Sequence, residues 1–532
     1  MLRFNKRYGQ HGIQAFVAHE TNSWQQGYLS AGKTTLIEEG IPEFNNAVNT
    51  QTSYSYVNDY ALESYFGNLN YDFDNKYLLS ATVRRDGSSR FVKDDLKWGT
   101  FWSVGAGWVV SREEFLKGSS FLPFLKLKAS YGLTGDQAGV GYYPGYNVYN
   151  TGSLNGEIST SYSRVGYPDL TWETAKQFQV GAEFALFKNR VIEGSIDYYV
   201  KTTDDLIFDK RVAPSLGYAI TKVNDGELVN KGLEFNLTGH LVKSKDFFLD
   251  LSLNGEILDN ELKRMPFDDS TGKPKLLDLS ESGFGRSEGR SIYDFYMREW
   301  AGVNSATGAA QWTIHYVDRN GDGIYNTGDT AIGSLTEYMA LNPDAQVSTG
   351  VTENYALATQ KYLDKSAIPD IQGGINLFTG YKGLTLSVQM LYRVGGYAYD
   401  SAYAGLMHNG KVGGNNWSTD IYNRWQKPGD VTDTPRLSNY RTGDTNYNSQ
   451  SSRFLTKADY FSINNVRLGY DFPTNLIKNT GLSAVNVFVS GDNLWLFSER
   501  KGFNPMVTEI GNTSTYSYSP LSTFTLGLRV NF

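Results

Sequence analysis

The chain has no cysteine in 532 residues, only five histidines and 14 prolines, and no apolar run that could cross a bilayer as a helix. Each shortage excludes a class of protein. Without thiols there is no disulfide scaffold, no thiolate metal site and no thiol nucleophile. His11, His19, His240, His315 and His408 are scattered, with neither a Gly-x-Ser-x-Gly elbow nor a His-Glu-x-x-His helix around them. Glu183, Asp197 and Glu256 lie in alternating segments and read as solvated wall, so no enzyme is expected. A spanning helix needs roughly 18 consecutive apolar residues, and none is present. Met1 to Tyr8 lacks the apolar core of a secretory signal. The net charge of −7 offers no basic footprint to a nucleic acid. Averages alone, 40% apolar residues and a mean hydropathy of −0.41, describe an ordinary soluble protein.

What is abundant points elsewhere. Tyrosine (37) and phenylalanine (29) favour strands and polar–apolar boundaries over helices. At the C-terminus Phe524, Leu526, Leu528, Val530 and Phe532 alternate with Thr525, Gly527, Arg529 and Asn531, a period of two that gives one greasy and one wet face. Leu384 to Tyr392, Val466 to Phe472, Val485 to Val489, Phe178 to Phe184 and Tyr65 to Phe73 repeat it. A soluble sandwich also alternates. Two features separate the cases. The alternating segments run about ten residues, the length that crosses a bilayer at a tilt, and their polar faces carry charges and glycines, such as Arg467, Gly105, Gly107 and Glu183, as a wet lumen allows.

Connections alternate as well. Short turns follow Phe73, Leu186, Leu241 and Thr379, and the links at 111–123 and 473–483 fall on the same side. Between them lie long links near 20–60, 87–98, 135–175, 202–230, 259–369, 395–461 and 494–521. Short periplasmic turns and long extracellular loops are the pattern of an outer-membrane barrel. The expected fold is therefore all-β, an antiparallel transmembrane β-barrel of about 14–15 strands, the first at residues 2–8. That first strand runs in the same direction as the last, so an even, closed barrel is expected to need more strands than these.

Several segments, in this order, carry a resemblance to a known family: Arg84-Arg85-Asp86-Gly87-Ser88-Ser89-Arg90-Phe91, Phe101-Trp102-Ser103-Val104-Gly105-Ala106-Gly107-Trp108, and Leu127 to Gly135. Leu170-Thr171-Trp172-Glu173, Asn230-Lys231-Gly232-Leu233-Glu234, Val317 to Ile324, Pro369-Asp370 and Gly491-Asp492-Asn493-Leu494 complete them. Along its whole length the chain resembles the C-terminal barrel portion of the SusC/RagA family, TonB-dependent outer-membrane transporters of Bacteroidota. The resemblance implies a 22-stranded barrel, about seven strands more than are seen here. It also implies a signal peptide, TonB-contacting segment and plug domain ahead of the barrel, all expected to be absent from residues 1–532. The implied function is uptake of oligosaccharides or peptides through the cell outer membrane. A SusD-like surface lipoprotein would cap the barrel, and TonB-ExbB-ExbD would act on the plug. Two other readings stay open: a self-contained passive channel of about 14 strands, and a secreted adhesive β-protein.

Local motifs offer candidate sites. Asp318, Asn320, Asp322, Asn326 and Asp329 place side-chain oxygens at positions 1, 3, 5, 9 and 12 of a loop with Gly323 at position 6 and Ile324 at position 7, where a backbone carbonyl can serve. This is the spacing of a Ca2+ loop. Its flanks do not read as helices and position 12 is Asp, so a turn-rich loop satisfying its own backbone is the competing expectation. Trp172, Trp300, Trp312, Trp417, Trp425, Tyr142, Tyr143 and Tyr146 lie in the long links. There they could stack on sugar faces, anchor a partner, or pack the loops on themselves.

Overall fold

The computed structural model describes all residues except 212–219, 269–270, 281, 411–415, 440–443, 479–480 and 508–518. Parts of the expected links at 202–230, 259–369, 395–461, 473–483 and 494–521 therefore lie outside the described residues. Fifteen antiparallel strands form one sheet, in chain order. They are β1 Leu2–Tyr8, β2 His11–Leu36, β3 Ala47–Phe73, β4 Tyr77–Ser88, β5 Trp98–Val109, β6 Phe124–Asp136, β7 Glu173–Leu186 and β8 Ile192–Asp204. Then come β9 Glu227–Lys243, β10 Phe247–Arg264, β11 Ile371–Tyr381, β12 Leu384–Val394, β13 Tyr460–Asp471, β14 Ala484–Ser498 and β15 Thr523–Asn531. Among the described residues β1 and β15 form the two edges.

The period of two becomes two faces. On one, Leu79, Val83, Val104, Val180, Ile196, Leu251, Leu468, Val489 and Leu526 stand exposed. On the other, Thr385, Ser387, Gln389, Asn465, Arg467, Asn486, Arg529 and Asn531 line a common polar hollow. Such apolar exposure is unaffordable in water and ordinary against lipid tails. The ladder is in register because a slip of one residue would exchange the faces: Leu468 sits opposite Leu386 and Val489, and Arg467 opposite Ser387 and Ser490.

One side of the sheet carries tight connections. Asp74 and Asn75, between β3 and β4, adopt φ of 55° and 48°, left-handed values that Asp and Asn tolerate best among non-glycine residues. The other side carries the long links, which are far from irregular. Val148–Leu154 pairs with Glu157–Arg164, and Ala310–Val317 with Trp300–Val303, Thr330–Ile332 and Ser348–Thr352. The expected link at 20–60 needs correction: β2 and β3 stay paired through it, from Tyr8's neighbour His11 to Leu36 opposite Ala47, leaving only 37–46 outside the ladder. The expectation failed for a physical reason. An arm standing outside the bilayer is not forced to alternate apolar with polar residues, and its many Ser, Thr, Asn and Gln give it the composition of a loop.

The packed hydrophobic interior lies in the link side, where Phe284, Phe295, Met297, Ala404, Met407 and Phe454 form the largest buried cluster.

Candidate functional site

Three regions gather functional side chains: the polar wall, the rim of the long-link side, and the folded link body. On the wall, β6 and β7 pair so that Lys126 Nζ lies 3.1 Å from Glu183, and Lys128 Nζ lies 2.9 Å from Asp197 of β8 and 3.6 Å from Glu183. Gln179 Nε2 donates to Asp197 at 3.2 Å. Glu183 and Asp197 are thus held by two lysines that sequence reasoning did not single out. Their signal was the polar phase of β6, where Lys126 and Lys128 alternate with Leu125, Leu127 and Ala129. Nearer the tight turns His240 meets Asp250 at 2.7 Å and Glu193 at 3.0 Å. Glu256, on the same face, accepts from the Tyr199 hydroxyl at 3.0 Å. Each of these carboxylates has a cation or donor beside it, which is the condition for a charge on a partly desolvated wall.

At the rim, sequence segments far apart converge. Phe91 packs with Phe101, Leu170 and Trp172 in one buried cluster. Trp172 Nε1 donates to the Lys97 carbonyl at 3.0 Å, and the Glu173 carboxylate accepts from the Ile207 amide at 2.8 Å. Arg84 donates through Nε to both oxygens of Asp86, at 2.7 Å each. The motif Arg84 to Phe91 and the motif Leu170 to Glu173 are therefore two halves of one joint.

The link body places the expected site residues. Trp312 is wholly buried, and Trp300 packs edge-on against it with centroids 5.9 Å apart. The Arg453 guanidinium lies 4.8 Å from the Trp300 ring and 4.9 Å from that of Phe454; burial there pulls its pKa down to about 10. Trp417 stacks on His408 and donates to its carbonyl at 2.8 Å. Trp425 donates to the Ser305 carbonyl at 2.9 Å and covers Gly308. Trp172 and Trp312 are buried among the loops, whereas Trp300, Trp417 and Trp425 each contact the loops and are half-buried.

The loop from Asp318 to Asp329 is closed by its own hydrogen bonds. Asp318 accepts from the amides of Gly321 (2.7 Å) and Gly323 (2.9 Å), and Asp329 from those of Arg319 (3.1 Å) and Asn326 (2.9 Å). Asp322 accepts from the Ile324 amide at 2.8 Å and from the side-chain amides of Asn320 and Asn326 at 2.9 and 2.8 Å. Among the described residues no three His, Cys, Asp or Glu side chains gather as a metal-holding group.

Sequence reasoning missed a set of aromatic rings on β2 and β3. Tyr28 stacks on Tyr56 at 5.1 Å and 18°, Tyr54 leans on Tyr56 at 5.6 Å, and Trp24 stacks on Tyr142 at 5.3 Å and 15°. The signal was there in Tyr54-Ser55-Tyr56 and Tyr60, tyrosines at even spacing inside a segment read as a link.

Comparison with known proteins agrees with this architecture. The family model for the TonB dependent receptor-like β-barrel matches residues 2–494. TonB-dependent receptor P3 of Formosa agariphila is 28% identical, with an alignment covering 100% of this chain and 52% of that protein. TonB-dependent receptor SusC of Bacteroides thetaiotaomicron is 29% identical over 91% of this chain and 44% of its own length. Among solved structures, the RagAB peptide transporter superposes with a TM-score of 0.80 at 25% identity, covering 100% of this chain and 54% of that one. The chain thus spans about half the length of the curated relatives it matches. Its two-faced sheet, its one-sided links and the match over residues 2–494 place this chain in the TonB-dependent receptor-like β-barrel family, whose members cross the outer membrane with strands.

Proposed function

We propose that this chain supplies barrel wall and extracellular body to an importer of oligosaccharides, working with a SusD-like surface lipoprotein and energised by TonB-ExbB-ExbD. In a whole protein of the relatives' length, TonB would act on a plug outside residues 1–532. The observation that carries the reading is the pairing of a polar, ion-paired inner wall with a large folded body on the long-link side. A wet wall passes a hydrated solute, and a packed body offers a lipoprotein something rigid to sit on. Peptide import is the second reading, and the likeness to the RagAB peptide transporter favours it.

The test is uptake by cells carrying the full-length gene or its deletion, with labelled neutral oligosaccharides and labelled peptides supplied separately. Loss of oligosaccharide uptake on deletion, and on collapse of the proton gradient, is expected. Loss of peptide uptake alone would transfer the function to the second reading. Unchanged uptake of both would reject import.

A further inference from the structure

Past the pair of Asn22 and Leu62, where the ladder between β3 and β4 ends at Ser88, β2 and β3 run on paired with each other as a two-stranded arm that rises from the rim. Its two faces differ. The even-numbered face continues the wall face of the barrel, because Gln14, Phe16 and Ala18 of β2 lie opposite Asn70, Asn68 and Phe66, in phase with the polar side of the sheet. Going outward, this face carries the cross-strand pairs Trp24 and Tyr60, Gln26 and Asn58, Tyr28 and Tyr56, and Ser30 and Tyr54. From Asn22 to Gly32, and from Thr52 to Leu62, no residue on it is charged.

The base of the arm is braced and its outer part is open. Tyr142 covers one side of Trp24, the Arg90 guanidinium lies 4.9 Å from the Tyr60 ring, and the Asp59 amide donates to the Tyr143 hydroxyl at 2.7 Å. Beyond this brace Tyr28 is 45% and Tyr54 58% exposed. From Trp24 to Tyr28 the strand rises about 14 Å at about 3.4 Å per residue, the span of a short run of linked sugar rings.

We propose that this aromatic and amide face binds neutral glycan chains and leads them toward the lumen wall below; the idea rests on the importer reading given above. The chemistry is specific. A pyranose ring offers an apolar face of C–H bonds and a rim of hydroxyls. Tyrosine rings that stack on one another are already ordered, so they receive such a face at small entropic cost. Gln26 and Asn58, between two aromatic pairs, present amides that donate to and accept from hydroxyls. A peptide would be held differently, by main-chain pairing along a strand edge or by charge complementarity, and the even face, a row of uncharged side chains of β2 and β3, supplies neither.

The test uses the full-length transporter on cells whose proton gradient has been collapsed, so that surface binding is read without import. Fluorescent dextran, mannan and xylan are the probes. The double variant Tyr28→Ala/Tyr54→Ala is expected to weaken binding of at least one probe by about tenfold or more, while Tyr28→Phe/Tyr54→Phe stays within about twofold. Leu29→Ala, on the opposite face of the arm, is expected to change nothing. Heat-modifiable gel migration checks that each variant is folded. Wild-type cells that bind none of the probes, equal binding by the alanine variant, or loss of lipoprotein co-purification with glycan binding intact would each overturn the proposal. Capture of labelled peptides that the alanine pair abolishes would reassign the face to peptides. Binding without uptake in energised cells would reject the importer reading and leave this one standing.

Discussion

A β-carbon placed on Gly308 would lie 2.3 Å from the Trp425 ring, and its φ of +73° is one that side chains with a β-carbon rarely adopt. Strain and overlap act together, so Gly308→Ala is expected to cost the extracellular body about 2 kcal/mol or more. Faster protease cleavage near Ser305 and Trp425, with barrel migration unchanged, is the expected readout. At Asp322 the same scale bears on the expected Ca2+ loop. One of its oxygens already receives two amide donors, from Asn320 and Asn326. A cation there would need oxygens, so both amides would have to turn over. A calcium titration of the folded protein is expected to give no saturable heat, and the loop is expected to keep its shape in chelator; saturable binding would restore the metal reading.

Along each barrel strand, what the sequence shows depends on its surroundings. β15 alternates cleanly because lipid enforces it: Leu526 is 77% exposed on the apolar face, while Arg529 faces the polar hollow. An arginine at Leu526 is expected to cost about 2–4 kcal/mol near the bilayer centre, and one at Thr525 far less. Assembly of Leu526→Arg into the outer membrane should fall sharply, and that of Thr525→Arg should not. Outside the bilayer this constraint vanishes. Past the rim the β2–β3 arm meets water, and its evenly spaced tyrosines stand among Ser, Thr, Asn and Gln, so a regular ladder there has the composition of a loop and their period of two was passed over. The link-body tryptophans show the limit from the other side. Composition identified them as aromatics in loops, but only tertiary packing shows Trp312 buried and Trp425 seated on Gly308. The Arg84 and Trp172 motifs were legible as family marks long before their common role, one joint at the rim, could be seen.

The molecule as a whole joins two solvation regimes, and they should melt separately. The barrel is tied by a continuous ladder of fifteen strands, each one between β1 and β15 paired on both sides. The extracellular body is held as a soluble domain is, by buried clusters and paired charges, and includes a pH-sensitive point. His315 lies in its central sheet, Nδ1 buried without a hydrogen-bond partner. Burial lowers its pKa, the nearby Lys361 charge lowers it further, and Glu299, itself 2.8 Å from Lys361, opposes them. A histidine held neutral by the fold binds fewer protons than it does unfolded. Stability therefore decreases as pH falls below the unfolded value of about 6.5 and on through the folded one. Calorimetry of the detergent-solubilised full-length protein is expected to show a lower transition, from the body, that moves down by several degrees between pH 7.5 and 5.5. The upper barrel transition should shift less. His315→Gln should reduce the pH shift of the lower transition, whatever it does to the transition temperature at pH 7.5. A single transition, or a lower one that the substitution leaves equally sensitive to pH, would show that body and barrel melt as one unit or that another group sets the response.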